Sequence, residues 1–190
     1  MITMKLLLAS QSPRRKELLS SLGFDFEVVK IDCEEILPQH IKIEEAAAYL
    51  SELKADTFRS LTDGEVLLTA DTVVAIDNQI LGKPKDADNA FAMLRNLSGR
   101  THQVYTGISI KTVDKIYTQT DVAEVTFDEI TDDEAAFYIQ NYKPFDKAGS
   151  YGIQEWLGMA KITKMNGSFY TIMGLPTHLV YKTLKEISEV

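Results

Sequence analysis

At 190 residues with 45 % hydrophobic content, the chain has the apolar mass for a substantial core and fits one generous domain. Its 20 basic and 28 acidic residues give a formal charge of −8, which argues against a long polyanion such as DNA as its main partner. A small polyanion held by a local cationic cluster, with a divalent metal offsetting its charge, stays open.

In chain order, Lys5 to Ala9 predicts a short buried strand. Its apolar run is shorter than the roughly 7–15 residues of a secretory core. No run approaches the roughly 18 apolar residues of a membrane span. Ser12 then suits an N-cap and Pro13 the first helical position, so a helix is expected to about Leu22, with Gly23 as its stop. Phe26 to Ile31 predicts a second strand, and Asp32 to His40 a loop carrying Glu34 and Glu35. Cys33, the only cysteine, excludes an intramolecular disulfide and a cysteine-rich zinc site. Together these features predict a cytoplasmic protein with no membrane partner.

Ile43 to Leu61 places Ala46, Ala47, Leu50, Leu53 and Phe58 at helical spacing, with Lys54 at the edge of that face. "VLLTADTVVAIDNQIL" predicts a buried strand, a turn at Asp77-Asn78 and a returning strand. "DADNAFAMLRNLSG" predicts a helix from near Asp86 or Asp88 to Gly99. Strands over Thr101–Thr112 and Lys115–Phe127 are expected to join across Val113-Asp114. Thr131 and Glu134 form a capping-box pattern at the next helix. Beyond Pro144 the pattern predicts a loop, "GSYGIQ", a β-rich stretch to Met173 and a final helix from near Pro176. This order lacks strict βαβ alternation, so a mixed sheet flanked by helices is expected, not a simple parallel one.

His40, His102 and His178 lie far apart and form no helical metal-binding pair. "LGKP" lacks the upstream glycine and the Ser/Thr of a P-loop. "SQSPRRKEL" is more informative. A helix N-terminus favours anions, yet the first turn here carries Arg14, Arg15 and Lys16, each locally unfavourable by roughly 0.3–1 kcal/mol. A bound phosphate would remove that penalty; a solvated basic patch is the equal alternative on the local pattern alone. Asp71 interrupts an apolar strand, where a carboxylate is costly unless paired, hydrogen-bonded or on a metal. The alternative is an exposed strand end. Lys83 in "GKPKDADNA" and Gln154 at the end of "DKAGSYGIQ" fit ordinary turns when taken singly.

Taken together, Ser-x-Ser-Pro-Arg-Arg, Ala-Asp-Thr, Leu-Gly-Lys-Pro, "LSGRTHQVYTG", "DKAGSYGIQ" and "GLP", in this order, resemble the Maf family of septum-formation-associated nucleotide pyrophosphatases. The resemblance covers Leu6 to about Leu184 and implies an extended mixed sheet with two lobes around a cleft, like inosine-triphosphate pyrophosphatases. It also implies hydrolysis of a nucleoside triphosphate to monophosphate and pyrophosphate, with Mg²⁺ or Mn²⁺ and no nucleic-acid polymer; family similarity alone suggests a homodimer. By that resemblance Asp71 is the catalytic carboxylate and a metal ligand, with Glu35, or its neighbour Glu34, as the second metal acid. Ser10, Arg14, Arg15, Lys54 and Lys83 are substrate contacts, and their cations are expected to serve the ligand more than the fold. Arg14, Thr72 and Gln154 resemble the dTTP/UTP subgroup, whereas a 7-methyl-GTP subgroup looks like Trp, Gln and Glu at these places. A nucleotide-sensing regulator of septum formation without turnover is the competing expectation.

Overall fold

The computed structural model describes residues 4–188. Its strands are β1 (Lys5–Leu8), β2 (Phe26–Val28), β3 (Glu65–Ile76), β4 (Gln79–Leu81), β5 (Thr101–Lys111), β6 (Ile116–Phe127) and β7 (Ile162–Asn166). They form one sheet in the order β2-β1-β3-β5-β6-β7, with β4 on β3. β1 runs parallel to β2 and β3, while β3–β4 and β6–β7 are antiparallel. This is the mixed α/β fold, with helices flanking the sheet, that the element order predicts. The chain divides into two compact units, one holding residues up to Asp71, Thr106–Asp121 and from Gly174 on, the other Thr72–Tyr105 and Val122–Met173.

In the first unit, Leu6, Leu7 and Leu8 are buried because β1 lies between two parallel neighbours. Helix α1 (Pro13–Ser21) starts as expected, with Ser12 as N-cap and Pro13 at its first position. β2 stops at Val28, short of Ile31. Val29 and Ile31 instead pack on a cluster of Leu7, Ala9, Ala55 and Leu67. Likewise α2 (Ile43–Thr57) ends at an extended Phe58, not at Leu61, and Phe58 and Leu61 cover the same cluster. Apolar residues past an element's end served the core, and periodicity read them as more of the element. α7 (Thr177–Ser188) begins where Pro176 predicts.

In the second unit, Asp77 and Asn78 both adopt positive φ (51° and 58°), the two-residue turn expected between β3 and β4. α3 (Ala87–Leu97) is capped by Asp86, whose side chain accepts from Asn89 N at 2.8 Å. α4 (Asp132–Tyr142) carries the complete Thr131/Glu134 capping box. Its core joins Ile76, Leu94, Leu97, Phe127, Ile130, Tyr138 and Leu157. The β-rich stretch expected up to Met173 is corrected: it contains α5 (Trp156–Lys161), β7 and α6 (Phe169–Met173). α5 spans six residues, and Gly158 lets it lie against the turn just before it; a Cβ there would lie 2.0 Å from Ile153 O. A helix so short shows no period. No helix among the described residues is long and apolar enough to cross a membrane.

Candidate active site

The first unit brings Asp71, Lys54 and Glu35 together through the register between α2 and β3. Thr69 and Asp71, two apart on β3, share a sheet face, while Ser51 and Lys54, three apart on α2, share a helix face. Thr69 Oγ1 donates to Ser51 O at 2.6 Å, and Ser51 Oγ lies 2.8 Å from Ser109 Oγ on β5. Beside them Gly107 allows contact with the helix backbone, since a Cβ there would meet Ala47 O at 2.3 Å. One residue pair therefore fixes the next. Lys54 Nζ donates to Asp71 Oδ2 and lies 2.9 Å from Glu35 Oε1. Asp71 is only 8 % exposed, so its carboxylate belongs to a buried ion pair and not to an exposed strand end. Glu34 is exposed; Glu35 is the loop acid whose carboxylate reaches Lys54.

Ser10 and the basic helix start frame this cluster. Ala9 N donates to Leu68 O at 2.9 Å, tying the end of β1 to β3 three residues before Asp71. Buried Ser10 then accepts from Ser12 N at 3.2 Å. Arg15 is half-buried, and its Nε donates to Gly174 O at 2.7 Å across 159 residues of sequence. Burial pushes its guanidinium below the ordinary arginine value; Asp71 and Glu35 pull it up and Arg14 pushes it down. That set of influences places Arg15 in the field of the same two carboxylates. No acidic residue occupies the first turn of α1, so the helix N-terminus and its arginines present one sign of charge.

Thr72, Lys83 and Gln154 belong to the second unit. Thr72 is half-buried directly after Asp71, and Lys83 is exposed just beyond β4. Gly149 N donates to Gly82 O at 3.1 Å, so the Lys83 turn and the "DKAGSYGIQ" loop are joined. Gly149 adopts φ 69°, and a Cβ on it would lie 2.9 Å from Val74 Cγ1, which only glycine avoids. Gln154 is exposed between buried Ile153 and half-buried Glu155.

With the geometry in view, similarity to known proteins decides the family. The profile of the family described as Maf-like protein matches residues 5–187. The chain belongs to the Maf family. A Flavobacterium psychrophilum protein named dTTP/UTP pyrophosphatase is 49 % identical over 178 residues, 93 % of this chain and 91 % of its own. A Porphyromonas gingivalis protein of the same name is 49 % identical over 189 residues, 97 % of this chain and 95 % of its own. A solved structure of the Staphylococcus aureus Ham1 protein is similar with a TM-score of 0.44 at 19 % identity, over 67 % of this chain and 72 % of that one. Every residue of the two clusters lies within the matched Maf span.

Three sets of residues were not singled out by sequence reasoning. Ser51, Thr69 and Ser109 register Lys54 on Asp71, but small hydroxyls inside apolar elements give no pattern. Gly174, in the quoted "GLP", supplies a carbonyl to Arg15, which only tertiary structure reveals. Tyr138, Lys147 and Glu155 enclose the turn that carries Gln154. Of these, Lys147 lies within the quoted motif and could have been flagged.

Proposed function

We propose that this chain is a nucleoside triphosphate pyrophosphatase that hydrolyses dTTP and UTP to the monophosphate and pyrophosphate. The observation that carries the chemistry is the buried Asp71 carboxylate held on Lys54, with Glu35 on the same ammonium and Arg15 in their field. The substrate class is supported by the names of relatives at 49 % identity across nearly the whole chain.

In this reading Arg14, Arg15, Lys54 and Lys83 bind the triphosphate, the arginines by their planar forks and the lysines as point charges. Ser10 shapes the loop that delivers the arginines. Asp71 orients the attacking water and takes its proton as the new bond to the α-phosphorus forms. The bond to the bridging oxygen breaks, and pyrophosphate leaves with that oxygen on the cationic side chains. Thr72 and Gln154 select the base; an amide offers a donor and an acceptor to the edge of thymine or uracil.

The donor set fits a divalent metal that arrives with the nucleotide. Glu35 and Asp71 each put an oxygen on Lys54 Nζ, so the two carboxylates lie close enough to share a cation, which would take the place that the ammonium fills as Lys54 turns to the phosphates. Among the described residues no three His, Cys, Asp or Glu side chains are grouped to hold an ion. Two carboxylates completed by phosphate oxygens and water is the usual coordination of Mg²⁺. Glu35 and Asp71 would hold the ion, which would offset phosphate charge and polarise the scissile phosphorus.

The test incubates purified protein and Mg²⁺ with a panel of nucleoside triphosphates and separates the products by chromatography. Release of dTMP and UMP with pyrophosphate, lost in Asp71→Asn by far more than tenfold (about 1.4 kcal/mol of barrier) while the fold persists, is the expected result. Binding without turnover would make the chain a nucleotide sensor instead. Faster hydrolysis of 7-methyl-GTP or a purine triphosphate would overturn the substrate assignment.

A further inference from the structure

The turn that presents Gln154 is held by a set of polar side chains that no step of the proposed hydrolysis uses. Tyr138 on α4 is fully buried. Its hydroxyl donates to Glu155 Oε2 and accepts from Gly152 N at 3.0 Å. Lys147 Nζ lies 3.1 Å from Glu155 Oε1 and 2.8 Å from Asp146 Oδ1, with its side chain only 10 % exposed. Glu155 N closes the turn by donating to Gly152 O at 3.0 Å. Gly152 and Gly158 let the turn pack closely. A Cβ at Gly152 would fall 2.9 Å from Glu155 Cδ and 3.0 Å from Lys147 Cε, and one at Gly158 would strike Ile153 O.

We propose that Tyr138, Lys147 and Glu155 form a clamp that fixes the 152–155 turn and so positions Gln154 for base selection, an inference that rests on the reading of Gln154 given above. The turn exposes one amide-bearing side chain, Gln154, between buried Ile153 and the paired Glu155. Packing alone could hold a surface turn. Burying a lysine and a glutamate is costly unless each charge is met by directed bonds, and such directed bonds fix orientation where apolar contact does not. Orientation is what a base reader needs, because an amide discriminates between base edges only when donor and acceptor stay in register with them. The phenol is suited to this place. It bonds the turn at both ends, at Gly152 N and at the Glu155 carboxylate, so a shift at either end breaks one of its bonds. Burial and the bond to Glu155 push the phenol upward, so it keeps its proton and remains a donor at neutral pH. None of the three contacts Asp71, Lys54 or Glu35 in any of these bonds. They are positioning residues, acting through Gln154.

The test compares full-length wild type, Tyr138→Phe, Lys147→Met, Lys147→Arg and Gln154→Ala, reading kcat/KM for dTTP, UTP, CTP and GTP alongside a thermal melt. For Tyr138→Phe and Lys147→Met, the ratio of kcat/KM for UTP over CTP is expected to fall about tenfold, mainly through KM for UTP. Lys147→Arg, which keeps the charge, should restore most of the ratio. In a Gln154→Ala background, Tyr138→Phe should change the ratio no further, a result that a merely structural role would not produce. If Gln154→Ala lowers the ratio but Tyr138→Phe and Lys147→Met do not, the clamp is overturned and the reading of Gln154 stands. If Gln154→Ala leaves the ratio unchanged, both fall. Should Tyr138→Phe fail to fold, the comparison of Lys147→Met with Lys147→Arg decides by the same ratio.

Discussion

Lys54 does two jobs, and only one of them shows in the sequence. The resemblance to the Maf motifs marks it as a cation for a ligand, and helical periodicity places it at the edge of an apolar face. The structure adds that it compensates Asp71, a carboxylate 8 % exposed, and bonds Glu35 as well. Removing one partner of a buried pair typically costs about 3–5 kcal/mol; half-exposed Glu35 and the nearby Arg15 should bring that toward the lower end. Lys54→Ala is therefore expected to lose roughly 3 kcal/mol of ligand-free stability, read by urea unfolding, in addition to losing turnover. Mg²⁺ with nucleotide should return part of the stability by binding only the folded state. A variant as stable as wild type without ligand would leave Lys54 with a ligand role alone. Asp71 was legible because an acid in an apolar strand is anomalous whatever the fold. The carbonyl of Gly174, facing Arg15 from 159 residues away, was not, because nothing local marks a backbone acceptor.

At the scale of elements, what was legible follows from what each element owes to its own residues. α1, α3 and α4 have caps built from local side chains, and these were visible as Ser12-Pro13, Asp86 and Thr131/Glu134. α5 spans only six residues, too few to show a period, with Gly158 set against Ile153 O of the turn just before it. The ends of β2 and α2 were overrun for a tertiary reason, since Ile31, Phe58 and Leu61 are apolar on account of a shared cluster. The site depends most on a contact of this tertiary kind, Gly107 of β5 against the backbone of α2. Gly107→Ala would put a methyl 2.3 Å from Ala47 C and O and 2.4 Å from Ala48 N, all backbone atoms that cannot rotate away. Helix α2 would have to move off the sheet, at a cost on the order of 3 kcal/mol or more. Because Lys54 rides on that helix, a lower melting temperature should come with weaker turnover on every nucleotide alike. Unchanged stability, measured by thermal melt, would show that α2 has slack against β5 that the structure does not indicate.

At the scale of the whole molecule, the stability of an acidic chain should depend on pH, and one buried histidine gives that dependence a window. His102 on β5 is fully buried against the rings of Phe127 and Tyr151, with Nε2 2.7 Å from the Tyr151 hydroxyl. Burial pushes its pKa down from 6.5 to about 4, and no facing carboxylate opposes this. The folded state therefore keeps the ring neutral at pH values where the unfolded chain protonates it. Between pH 6.5 and about 4 the unfolded state binds the extra proton, so stability rises with pH across this interval and is fully present above it. The difference corresponds to about 3 kcal/mol in total, at 1.36 kcal/mol for each pH unit. Glu65, held well below the usual carboxylate range by the Arg59 fork and the Thr62 backbone, loses its own contribution only as pH falls through the carboxylate range. Measurements kept above pH 5 therefore separate the two. Urea unfolding of wild type should show a loss of about 1.5 kcal/mol between pH 6.5 and pH 5, somewhat under the full slope because the unfolded ring is only half protonated at its ordinary pKa. His102→Gln, which keeps a polar atom near Tyr151 but cannot titrate, should flatten that slope while starting from a lower stability. A wild-type slope equal to the variant's would mean that His102 protonates as readily folded as unfolded, and that its pocket admits water.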